Sequence, residues 1–342
     1  MNEAQPERRG MRQRWARALA IGLALGASPA LADGPQVVLG VPGIPPIFAS
    51  VLPHVAAEQG LFRKYGADVE VRDFETGVAA ARAVAAGQID LAIAPTPVLV
   101  SMVTNAKVNL VGIYGLPNPD WLIGSTDPQK AGCGDLRGQP VGVDAIGGAR
   151  SEALKEMLAP CRLAPDDVKQ VALGSNTAPA MVAGQLTFGV LHLDDVPAIE
   201  GQLKRKVTVI TTLKQVSPVS HYLTVVARSD KVREKRDAYV KTLAALIEAG
   251  RVMRDPQNLD AVAKIAAVTG HSEAENKQSI ASYNELEQWP NGTDGLERDK
   301  IEAVIATQVK LGGIKPGSTP VTYGQFVDES LWADAAKLAP GP

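Results

Sequence analysis

Ala85-Ala86-Gly87-Gln88-Ile89-Asp90-Leu91-Ala92-Ile93-Ala94 returns further along the chain as Val182-Ala183-Gly184-Gln185-Leu186-Thr187-Phe188-Gly189-Val190-Leu191. In each copy a helical pattern stops at Gly-Gln and a short apolar run follows, which reads as a buried strand. Outward from the first copy, Val37–Val41 is a β-branched strand candidate and Phe48–Glu58 has helical spacing. Asp68–Phe74 alternates as a strand, and Thr76 is a plausible N-cap for a helix ending at Gly87. Pro95-Thr96-Pro97 breaks the next strand, a helix runs to about Thr104, and Asn109–Tyr114 is a strand again. Around the second copy the rhythm repeats. Val141–Val143, Val168–Leu173 and Phe188–Leu193 read as strands, with helices at 150–159 and 177–183; Val207–Thr212 and Tyr222–Ala227 read as further strands. Strand, helix, strand in this order predicts βαβ units on parallel sheets, so the chain is α/β with two similar lobes. From Lys231 onward the pattern is almost wholly helical. The expected layout is lobe one at 33–122 and 226–342 and lobe two at 123–225, with crossings near Trp121–Thr126 and Val219–Val225.

The first residues are of another kind. Arg8, Arg9, Arg12, Arg14 and Arg17 form a basic head, Ala18–Ala27 is apolar, and Ser28-Pro29-Ala30-Leu31-Ala32 is an A-x-A cleavage pattern. This reads as a secretory signal peptide over 1–32, with Met11 an alternative start. The apolar core falls well short of the ~20 residues a membrane span needs. No cysteine stands at the cleavage site, so no lipid anchor is expected and the predicted location is the periplasm. Without residues 1–32 the chain carries 30 basic against 35 acidic side chains, net −5, which argues against nucleic acid or an anionic membrane as partner. The chain has two cysteines, Cys133 and Cys161. In an exported chain they read as one disulfide, with free thiols the alternative.

Ala57-Glu58-Gln59-Gly60-Leu61-Phe62-Arg63-Lys64-Tyr65-Gly66, Ala86-Gly87-Gln88-Ile89-Asp90-Leu91-Ala92, Asp135-Leu136-Arg137-Gly138-Gln139-Pro140-Val141-Gly142-Val143 and Ala183-Gly184-Gln185 stand in fixed order. With these motifs the chain resembles the nitrate/sulfonate/taurine-type periplasmic binding proteins, including relatives that bind thiamine-pyrimidine precursors, over roughly 36–335. The resemblance implies the type II periplasmic-binding-protein fold, two Rossmann-like lobes with a ligand cleft between them. It also implies delivery of a small-molecule solute to an ABC permease in the inner membrane, by a monomer.

Ligands of open α/β sheets lie beyond the carboxyl ends of strands, which nominates loops by position. Pro45 and Phe48 follow the first strand. Thr76 and Gly77 open a helix whose N–H groups can meet a ligand oxygen. Thr96 sits between two prolines after the third strand. In lobe two, Gly148 gives close backbone approach at a helix N-terminus that favours negative charge, and Arg150 can grip a carboxylate or sulfonate. His192, Asp194 and Asp195 follow another strand; either aspartate can instead cap the next helix. Tyr114, Trp121, His221 and Tyr222 flank the crossings. Arg150 favours an anionic solute, whereas the aspartates favour one carrying a donor or a neutral heterocycle.

Neither cofactor nor metal is expected. His54, His192, His221 and His271 are dispersed, and neither G-x-S-x-G nor a P-loop occurs. An enzyme is the alternative class: chorismate-dehydratase-like proteins and the eukaryotic pyrimidine-precursor synthases resemble the same family. The former are cytoplasmic, against the export signal, and the latter use a Cys-rich motif absent here. A sensory module presenting ligand to a receptor is the other alternative.

Overall fold

The computed structural model describes residues 36–341; the export signal read at 1–32 lies outside the described residues. Among the described residues ten strands form two five-stranded sheets. They are β1 (Val37–Pro42), β2 (Val69–Phe74), β3 (Leu91–Pro95), β4 (Leu110–Leu116), β5 (Leu122–Ser125), β6 (Pro140–Val143), β7 (Lys169–Ala172), β8 (Phe188–Leu191), β9 (Thr208–Thr212) and β10 (Leu223–Arg228). The first sheet runs β2-β1-β3-β10-β4 and the second β7-β6-β8-β5-β9. Each has three parallel strands, then one antiparallel strand, β10 or β5, that pairs with the last. The two lobes therefore share one topology, with β3 and β8 in equivalent places. These are the strands after the repeated Gly-Gln. Gly87 and Gly184 both sit at φ +72°, the left-handed conformation that ends a helix and favours glycine.

The antiparallel strand of each sheet is the one reached just after the chain changes lobes. Leu122–Ser125, read from the sequence as part of a crossing, is in fact β5, paired to β8 and β9. Four residues with no alternation carry no strand signal of their own; burial on both faces makes them a strand. The links between sheets run through 117–121 and 217–222.

The helices that position the site are α1 (Val51–Glu58), α2 (Gly77–Ala85), α3 (Thr96–Ala106), α4 (Ala149–Leu158), α5 (Thr177–Val182), α6 (Asp195–Leu203), α7 (Arg236–Arg254), α8 (Glu273–Glu285) and α9 (Arg298–Lys310). The amphipathic α7 buries Tyr239, Leu243, Leu246 and Met253 in the first lobe's core, beside α1. The segment after β10 covers the first lobe and also reaches the second. Gln308 Nε2 on α9 donates to Glu152 Oε2 on α4 at 3.3 Å. Cys133 and Cys161 are joined, tying the approach to β6 to the end of α4. Among the described residues no helix is long and apolar enough to cross a membrane.

Candidate functional site

The loops after β1, β3, β6 and β8 meet at the seam between the lobes, as carboxyl-end loops of two facing sheets must. They enclose three adjoining cavities. The largest, about 220 Å³, is a side chamber lined by Pro45, Ala178, Ile199, Gln202, Asp194 and His271 among others. A narrow central cavity of about 40 Å³ lies between Gly77, Trp121, Asp144 and Ser175. An inner one of about 20 Å³ ends at His221 and Tyr222. Arg150 and His192 border both the chamber and the central cavity.

Arg150 sits in the first turn of α4, only 4% exposed. Its Nη2 lies 3.7 Å from Asp195 Oδ2, and its Nη1 is buried with no hydrogen-bond partner among the described residues. A buried guanidinium nitrogen without an acceptor is costly, so the arrangement asks for an incoming anion. The glycine loop before it works differently from expectation. Asp144, the residue after β6, accepts from the backbone N–H of Ala149 at 2.9 Å and of Arg150 at 3.1 Å. The helix N-terminus expected to meet solute thus already holds a carboxylate. Gly148 makes room for it: a Cβ there would lie 2.6 Å from Asp144 Oδ1.

The other carboxylates are likewise committed to protein donors. Asp195 Oδ2 accepts from the His192 backbone N–H at 2.9 Å. Asp194 accepts from Tyr283 Oη at 2.7 Å and pairs with His271 Nε2 at 3.2 Å. Asp120 accepts from His192 Nδ1 at 2.8 Å and shares the single Tyr283 hydroxyl proton with Asp194, while Tyr222 Oη lies 3.1 Å from the same ring nitrogen. Burial works against a charged His192, but Asp120 more than offsets it and holds the imidazole above its usual range. Burial would also raise Asp194, yet the bond to His271, the charge of His192 and the Tyr283 hydroxyl hold it below the usual carboxylate range. His271 is pushed up, first by its bond to Asp194. Trp121 lies against His192, ring centres 4.6 Å apart, and meets Tyr222 edge-on.

Of the residues nominated from sequence, Pro45, Thr76, Gly77, Trp121, Arg150, His192, Asp194 and Asp195 line the chamber or the central cavity, and His221 and Tyr222 the inner one. Thr76 also caps α2, its side chain accepting from the Ala79 N–H at 3.1 Å. Besides Gly148, which is packed against Asp144 and lines none of these cavities, three nominations sit elsewhere. Phe48 is fully buried beneath the site, stacked on Tyr283 at 4.5 Å. Tyr114 faces the far side of the first lobe and stacks on Trp332 at 6.5 Å. Thr96 is fully buried, its hydroxyl 2.7 Å from His221 Nδ1 and 2.8 Å from Thr224 Oγ1.

The Thr96–His221 contact has the look of a nucleophile and its base, but its chemistry is spent internally. Gly295 O, 2.6 Å from His221 Nε2, can only accept, so Nε2 carries the proton and Nδ1 accepts from Thr96. Burial lowers the His221 pKa to about 4, too weak a base for proton abstraction near neutrality. Among the described residues both cysteines are disulfide-bonded, and no cluster of three or more His, Cys, Asp or Glu side chains is placed to hold a metal.

Sequence reasoning missed Asp120, Asp144, Ser175, His271 and Tyr283. Asp144 stands directly after a strand and was within reach of the positional argument. His271 and Tyr283 arrive only through tertiary docking. A larger cavity, about 990 Å³, lies on the first lobe alone, between α7 and the C-terminal segment. Its Arg251 and Arg254 donate to backbone carbonyls of Ala339, Pro340, Trp289 and Pro290, so N–H donors of both are already in use. The seam, which draws groups from both lobes, is the better candidate.

The NMT1/THI5-like family model matches residues 50–258. A Brucella abortus chain that carries no more specific name than binding protein is 24% identical over 319 residues, covering 92% of this chain and 97% of its own. Among solved structures, the periplasmic nitrate-binding protein NrtA of Synechocystis PCC 6803 superposes with a TM-score of 0.72 at 17% identity, covering 91% of each chain. The alkanesulfonate-binding protein SsuA of Xanthomonas axonopodis pv. citri, bound to MOPS, gives 0.65 at 16%, covering 89% of this chain and 99% of that one. The desulfurization enzyme DSZB gives 0.60 at 15%, covering 88% of this chain and 99% of its own. At such identities the likeness carries the fold alone. With the family model spanning more than half its length, the chain belongs to the NMT1/THI5-like family, and it shares the fold of the periplasmic binding proteins on which it superposes.

Proposed function

We propose that the chain is the extracytoplasmic solute-binding component of an ABC importer and captures a small organic anion, a sulfonate or carboxylate, by closing its two lobes over it. The observation that carries this reading is the unpartnered, buried Nη1 of Arg150 at the junction of the seam cavities. The nearby aspartates do not oppose an anion as strongly as their number suggests, because Asp120, Asp144, Asp194 and Asp195 are each bonded to protein donors. The side chamber supports an organic rather than an inorganic anion. Its 220 Å³ is about seven waters' share of liquid volume, more than a nitrate fills. Pro45, Ala178, Pro179, Val182 and Ile199 give it apolar wall for a short tail, with Gln202 as a polar contact. That related folds include a nitrate binder and an alkanesulfonate binder fits anion capture.

The test is a thermal-shift series on the purified protein with nitrate, straight-chain sulfonates and carboxylates of increasing length, and neutral alcohols of matching length. A solute raises the melting point only if it prefers the folded state. Organic anions should raise it, increasingly with length until the chamber is full, and the alcohols should not. A response confined to neutral or cationic solutes would refute the reading. Turnover of a hit would transfer the chain to the enzyme class.

A further inference from the structure

Asp194 belongs to the second lobe, just after β8, yet both side-chain partners of its carboxylate come from the segment that follows β10. His271 Nε2 faces Oδ2, and the Tyr283 hydroxyl donates to Oδ1. The Tyr283 ring is fixed independently of closure, stacked between Phe48 at 4.5 Å and Trp289 at 6.2 Å in the first lobe's core. Its hydroxyl also faces Asp120 in the link between lobes. One phenolic proton therefore stands between two buried carboxylates, and Asp120 leans on His192 as Asp194 leans on His271. Two carboxylates sealed from water need compensating positive charge, and the imidazoles are the groups placed to supply it.

We propose that Asp194 is the catch of the closed form rather than a ligand contact, and that His271 and Tyr283 are positioning residues that engage it only when the lobes meet, so that closure takes up a proton on His271. The groups facing His271 agree with this. Asp194 and Asp195 face it from the second lobe and Glu275 from the first turn of α8, which follows it, all favouring the imidazolium; Arg150, a cation lining the same chamber, works against it. With the lobes apart, His271 returns to the ordinary histidine range near ~6.5. In the closed form its bond to Asp194 raises it. The contribution to closure is thus fully present below the ordinary value and is lost as pH rises through the raised one. Over that window one proton changes the closed-to-open ratio by at most about tenfold per pH unit.

The proposal does not depend on which solute binds. The experiment is small-angle scattering of the ligand-free protein from pH 5.5 to 8.5, with circular dichroism confirming the fold at each pH. The radius of gyration should be smaller at the acid end. His271→Gln should flatten the pH response, and Asp194→Asn should do the same and serves if the first variant does not fold. Tyr283→Phe, which keeps the stacked ring, should favour the open form at every pH while leaving the pH response. A wild-type radius independent of pH, or a response that survives both His271→Gln and Asp194→Asn, overturns the proposal. A protein that binds no organic anion but compacts on acidification refutes the functional reading above and leaves the catch standing.

Discussion

Arg150→Met separates binding from folding, because methionine keeps the aliphatic stem and removes the charge. Among the described residues the guanidinium has one distant partner, Asp195 at 3.7 Å, and an unsatisfied Nη1. At an effective dielectric of about 20, a pair at that distance gains roughly 4 to 5 kcal/mol. Burying the cation costs several kcal/mol, so the two nearly cancel. The empty variant should therefore melt close to wild type, within about 1 kcal/mol. The bound form is another matter. A charge-assisted hydrogen bond from Nη1 to the solute contributes about 1.5–3 kcal/mol, so Kd for an organic anion should weaken about ten- to a hundredfold. Calorimetric titration with hexanesulfonate or hexanoate reads this directly. Arg150→Lys should recover part of the loss, since an ammonium restores charge but not the planar fork. Undiminished affinity in Arg150→Met would refute the reasoning; so would a large loss of stability in the empty variant, which would mean that Asp195 depends on the pair.

Gly148→Ala should cost about 1–2 kcal/mol, because the added Cβ pushes Asp144 off the α4 amides it caps; a melting scan against wild type reads it. Reducing Cys133–Cys161, or replacing both with serine, should cost on the order of 3 kcal/mol, given the separation of 28 residues, as read by urea denaturation. His221 should stay neutral in the folded protein down to about pH 4, followed by the NMR shifts of its ring. Below the ordinary histidine range the unfolded chain binds a proton that folded His221 refuses. Its contribution to stability therefore falls as pH drops from about 6.5 toward 4, by up to about 1.4 kcal/mol per unit. A His221 midpoint in the ordinary range would contradict the hydrogen-bond chain from Thr224 through Thr96 to Gly295.

What the sequence announced was local. Gly87 and Gly184 stop helices by backbone chemistry that no distant contact changes, so the equivalence of β3 and β8 is legible in the residues themselves. The strand at Leu122–Ser125 is not, because its character comes from lying between β8 and β9. The site divides along the same line. Arg150 and the His192–Asp195 run follow strands, and position alone put them at the seam. Their partners decide what they do, and those partners are remote. Asp144 takes the amides assigned to solute. Tyr283 and His271 take Asp194 from beyond β10. Thr96 and Tyr114 show the converse. A hydroxyl between prolines and an aromatic near a crossing are candidates by position, yet each turns to a neighbour that sequence does not reveal.

In the proposed function an organic anion lies between the lobes with its acidic group on Arg150. A crystal structure of the protein with hexanesulfonate tests it most directly. The sulfonate oxygens should lie within hydrogen-bond distance of Arg150 Nη1, with the alkyl chain in the chamber against Pro45 and Ile199. A sulfonate bound instead in the outer groove, beside Arg251 and Arg254, with the seam unchanged, would contradict it.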